Sequence, residues 1–98
     1  MLDDNLLWLV SWYDRQCDGD WEHQFGVKIE TLDNPGWGVR FSVQETELQD
    51  KKFQDIVIER TEKDWIFCKV RNGFVEGHCG TFNLPEVLQI FREWAEKA

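Results

Sequence analysis

Apolar side chains recur at a helical period at both ends of the chain and at every second position between them. Over residues 5–17, Leu6, Leu9, Val10, Tyr13 and Cys17 fall on one face at about 3.6 residues per turn, which predicts an amphipathic helix with Trp8 and Trp12 on its flank. A second stripe closes the chain: Leu84, Val87, Leu88, Phe91, Trp94 and Ala95 line up, and Arg92, Glu93, Glu96 and Lys97 point elsewhere. Asn83 stands at the N-cap of that helix, Pro85 lies in its first turn, and Glu86 sits where a capping box places its acid.

The period-two stretch is clearest over residues 37–43, where Trp37, Val39, Phe41 and Val43 alternate with Gly38, Arg40 and Ser42. This predicts a half-buried strand with the Trp37 face toward the core. Residues 27–32 precede it, and Asp33-Asn34-Pro35-Gly36 supplies a tight reversal, so the two segments form a hairpin. Further strands are expected over about residues 53–60, 65–71 and 74–79. The last two are joined by Asn72-Gly73, the strongest hairpin signal in the chain. No crossover helix separates the strands, so they must pair antiparallel. The expected fold is α+β: an N-terminal helix, an antiparallel meander of about five strands and a C-terminal helix, with helices over one face. Residues 44–52 are polar enough for a mobile loop.

Length and composition narrow the picture. Ninety-eight residues suit one domain spanning 1–98, and 42% hydrophobic with 14% aromatic residues supplies its core. Neither a positive leader nor a membrane-spanning apolar run is present, which predicts a cytoplasmic protein; the odd cysteine count, Cys17, Cys68 and Cys79, predicts free thiols. Nineteen acidic against eleven basic side chains give a net charge of -8, which repels nucleic acid and anionic membrane and favours a basic protein partner.

The densest polar segment is Cys17-Asp18-Gly19-Asp20-Trp21-Glu22-His23. Its alternating carboxylates resemble a calcium loop, but His23 stands where the sharp-turn glycine belongs and Ile29 where the bidentate glutamate belongs. Cys17, His23, His78 and Cys79 are zinc-ligand types without zinc spacing, and adjacent His78 and Cys79 on a strand point to opposite faces. Cys17 with His23 is the only local nucleophile and base pair, and Cys17 reads as a small buried hydrophobe. No catalytic residue, metal or cofactor is assigned. A recognition surface suits the segment better: Asp18, Asp20 and Glu22 as partners for Lys or Arg, with His23 beside them and Trp21 and Trp12 as anchors. A plain helix-ending turn at Asp18-Gly19-Asp20 is the alternative. A metal-dependent enzyme around Cys17, Asp18, Asp20 and His23, or a sugar-binding module using exposed Trp faces, are the competing classes.

Two long runs carry a family likeness. Trp12-Tyr13 through Gln16-Cys17-Asp18-Gly19-Asp20-Trp21-Glu22-His23, then Gly26 and Ile29-Glu30-Thr31-Leu32-Asp33-Asn34-Pro35-Gly36-Trp37, with Asp64-Trp65 and Phe91-Arg92-Glu93-Trp94, resemble the immunity protein 53 family of bacterial polymorphic toxin systems. The resemblance implies an antidote that binds and neutralises a cognate toxin in the cytosol. By charge and analogy the toxin is expected to be basic, such as a nuclease.

Overall fold

A computed structural model describes residues 4–97. Along the chain come α1 (Asp4–Gln16), α2 (Trp21–Gln24), β1 (Val27–Leu32), β2 (Gly36–Ser42), β3 (Ile56–Glu59), β4 (Trp65–Arg71), β5 (Phe74–Cys79) and α3 (Leu84–Glu96). The fold is α+β, with the expected helices at either end of an antiparallel five-stranded sheet. The four-residue α2 was not foreseen, and β3 is shorter than the expected 53–60.

The strands lie in the order β1-β2-β5-β4-β3. β3, β4 and β5 follow one another as a meander, β1 and β2 form a hairpin, and β5 closes the sheet by pairing with β2 in the register Trp37↔Cys79 to Ser42↔Phe74. Residues 43–55 therefore carry the chain from the middle of the sheet to its far edge. Asn72 and Gly73 adopt φ of 52° and 83°, the left-handed pair that a two-residue hairpin needs, and Arg71 faces Phe74 across it. At the other hairpin the Asn34–Pro35 bond is cis, and Gly36 lies so close to the Cys79 carbonyl that no Cβ would fit.

The strand alternation puts Val39, Phe41, Ile66, Cys68, Val75 and Cys79 on one face, where they are buried beneath the helices with Val87, Leu88 and Phe91 of α3. Gly77 belongs to this face, and a Cβ there would stand 2.9 Å from Val87 Cγ1, so its absence lets α3 approach β5. Phe41 and Phe91 stack with centroids 4.0 Å apart and planes 4° from parallel, joining sheet to helix. The opposite face, with Lys28, Glu30, Arg40, Phe67, Lys69 and His78, is exposed.

Two packing expectations are corrected. α1 buries Leu9 and Trp12, with Trp8 half-buried beside them, whereas Leu6, Val10 and Tyr13 of the expected core stripe are exposed. The helix has apolar residues on more than one side, and indole rings bury more area than leucine or valine, so the Trp side wins the core. Trp12 makes edge-on contacts with Phe91 and Trp21 at centroid distances of 5.3 and 6.3 Å. α3 packs as expected, but the capping box does not form. Asn83 makes no side-chain cap; its Nδ2 donates to Asp64 Oδ1 at 2.8 Å, and the Glu86 carboxylate receives Arg60 at 2.7 and 3.0 Å. A charged partner across the β3–β4 turn outcompetes a local amide for the same carboxylate.

Candidate functional site

The segment after α1 is a self-bonded turn. Asp18 Oδ1 accepts the N–H groups of Asp20 and Trp21, each at 2.9 Å, while the Glu22 carboxylate reaches back to accept those of Asp18 at 3.0 Å and Gly19 at 2.9 Å. Gly19, at φ 92°, supplies the left-handed step that turns these donors inward. Two carboxylates thus satisfy four backbone donors leading into α2, whose N-cap residue Asp20 makes no side-chain cap itself. The N–H groups of Trp21 and Asp20 hold the Asp18 carboxyl below the usual carboxylate range.

The site residues named from sequence divide accordingly. Asp18 and Glu22 build the turn, while Asp20 and His23 are exposed and, among the described residues, have no side-chain hydrogen bond. Trp21 is 3% exposed, with its Nε1 donating to the Gln44 carbonyl at 2.9 Å, and Trp12 is 1% exposed. Neither ring can anchor a partner in this conformation, because both are inside the core. By contrast Trp37, on the expected core face of its strand, and Trp94, in the expected apolar stripe of α3, are only half-buried.

A second acidic segment joins the first. Gln16 Nε2 at the end of α1 donates to Glu47 Oε1 at 3.4 Å, and the Trp21 bond to Gln44 ties the same loop to α2. The expected mobile loop over residues 44–52 is instead well tethered. Leu48 is buried in the core, Thr46 Oγ1 donates to the Val43 carbonyl at 2.7 Å, and the Glu45 N–H donates to Gln49 Oε1 at 2.7 Å. Glu45, Glu47 and Asp50 remain exposed on it. One end of the molecule therefore carries Asp18, Asp20 and Glu22 beside Glu45 and Glu47, a juxtaposition of segments about 25 residues apart that nothing in the local sequence announces.

The remaining candidates are scattered. Cys79 lies in the core and His78 on the exposed face, while Cys17 Sγ donates to the Tyr13 carbonyl at 3.4 Å. Among the described residues no three His, Cys, Asp or Glu side chains gather where they could hold a metal ion. Burial pushes the Cys68 thiol up to about 12 and the Cys79 thiol up to about 11. The neighbouring Cys17 side chain raises the Tyr13 phenol above its ordinary range. No helix among the described residues is long and apolar enough to cross a membrane.

Helices on one face of an antiparallel sheet, with an acidic end built from two turns, define a small α+β protein whose polar groups are displayed rather than enclosed. Compared with known families, residues 6–96 match the model of immunity protein 53. The chain belongs to the immunity protein 53 family. No curated protein and no solved structure gave a significant match.

Proposed function

We propose that this protein neutralises a cognate toxin by binding it stoichiometrically, and that the acidic end is where a basic toxin surface docks. The carrying observation is the convergence of the Asp18–Glu22 turn with the Glu45 and Glu47 loop, set in a chain of net charge -8 that belongs to an immunity family. The Asp18 and Glu22 carboxylates are oriented by backbone donors, so this part of the surface loses little freedom on meeting Lys or Arg. Asp20 and His23 are the groups to make direct contact, Glu47 joins them while accepting the Gln16 amide, and Asp18 and Glu22 contribute charge and shape. Such a surface would occlude a nuclease by standing where substrate phosphates stand. The chain 1–98 would act as one domain, in the cytoplasm of the bacterium that makes the toxin.

The test is co-expression with the toxin encoded beside this gene, followed by affinity measurement over a range of salt. A one-to-one complex that restores growth is expected. Asp20→Lys with Glu47→Lys should weaken it by at least about tenfold, a loss of roughly 1.4 kcal/mol, and flatten its salt dependence. Unchanged affinity and salt slope in that variant would remove the acidic end from the interface. Absence of any complex would remove the antidote role.

A further inference from the structure

The outward face of α1 is apolar where a solvated helix face would be polar. Leu6, Leu7, Val10 and Tyr13 are 46%, 51%, 55% and 37% exposed. At about 100° per residue, Leu6, Val10, Tyr13 and Cys17 share one stripe, Leu7 borders it, and the buried Leu9 and Trp12 lie on the other side. Large side chains exposed in a contiguous strip mark an interaction surface far more often than isolated ones do.

Charge decides between the occupants. Asp4 flanks one end of the strip, Asp14 lies along it, and Asp18 and Glu22 close the other end; the Glu22 charge is felt at Tyr13, whose phenol it helps to raise. Arg15 is the one basic residue of α1. A second copy laid on this strip would bring acids against acids in either orientation, on top of the repulsion between two chains of net charge -8. A partner with an apolar knob set among Lys and Arg fits both the strip and its rim. Size points the same way. A 13-residue helix is about 20 Å long and offers a few hundred Å² on one side, short of the roughly 800 Å² per partner of a standard interface, so the strip needs the adjoining acidic turn to complete it.

We infer that the exposed Leu7–Val10 strip of α1 is the apolar centre of the toxin interface, with the Asp18–Glu22 turn as its charged rim. The inference rests on the antidote reading and replaces the buried Trp12 and Trp21 as anchors. Anchors of this kind act by excluding water and slowing dissociation, while the acidic rim governs the rate of encounter.

The experiment compares the whole chain with a Leu7→Gln, Val10→Gln variant, which keeps helix propensity and changes only exposed positions, against the toxin encoded beside the gene. Circular dichroism should be unchanged. Dissociation should be faster and affinity about 100-fold weaker, with the salt slope of the wild type retained because the carboxylates are intact. A Val57→Gln variant, on the exposed sheet face, should bind like wild type. If the wild type binds the toxin and the α1 variant binds within about twofold of it, the strip is not the interface and the antidote reading survives. Should the wild type fail to bind, both readings fall. Sedimentation of the chain alone supplies the remaining outcome: a dimer that the variant dissolves would assign the strip to a second copy and overturn the inference.

Discussion

Asp18 shows how one side chain can look like a binding group and be a structural one. Its carboxylate accepts two backbone N–H groups, so removing it leaves donors without partners at the start of α2. Asp18→Ala should therefore lower the melting temperature, whereas Asp20→Ala, two residues on and without side-chain bonds among the described residues, should leave it unchanged. Equal melting temperatures for the two would deny Asp18 its role in the turn. The cysteines invite a similar contrast. Cys68 and Cys79 are buried with raised thiols, so almost none of either is thiolate at neutral pH, while Cys17 is half-buried beside the turn. Iodoacetamide on the native protein should label Cys17 first, with Cys68 and Cys79 reacting only on unfolding, as peptide mass mapping would record.

At the scale of elements, the tight join is between β5 and α3. Gly77→Ala would push a methyl to 2.9 Å from Val87 Cγ1 and 3.3 Å from Cys68 Sγ, and overpacking of this kind costs about 1–3 kcal/mol. Combining it with Val87→Ala should recover part of that loss, since the second change opens the space the first one fills. Urea unfolding of the two single variants and the double variant measures the coupling; strictly additive losses would mean that the helix simply shifts aside. Element boundaries were largely legible beforehand, because β2 and both long helices carry their periodicity openly and the turn residues at 33–36 and 72–73 bound β1, β4 and β5. The face that α1 buries was not, since its sequence offers apolar residues on two sides and only the rings of Phe91 and Trp21 select the Trp12 side.

Over the whole molecule, charge acts on stability. Arg60 links the β3–β4 turn to α3 through Asp64 and Glu86, and the Asn83 amide together with Arg60 holds the Asp64 carboxyl low, as Arg60 does that of Glu86. Asp18 is lowered by its backbone donors. For each, the folded carboxyl is the stronger acid, so its contribution is present above the ordinary carboxylate range near pH 4 and is lost as pH falls through the lower folded values. Melting temperature should hold from neutral pH down to about 5, where relief of the net negative charge helps, and fall steeply below about 4. Replacing Arg60 by Met should make that acid fall shallower by removing the ion pairs, a difference visible in calorimetry at several pH values.

The amino-acid order by itself determined the α+β class, the two long helices, the Asn72-Gly73 hairpin and the likeness to an immunity family, because these depend on periodicity, turn geometry and residue strings within a few positions of one another. Tertiary structure decided the strand order, the burial of Trp12 and Trp21, the exposure of Leu7 and Val10, and the meeting of Glu47 with Gln16. Each of these is settled by competition among distant side chains for a limited interior. A helix with two apolar sides can bury only one of them, and two acidic turns far apart in sequence become neighbours only when the core between them has closed.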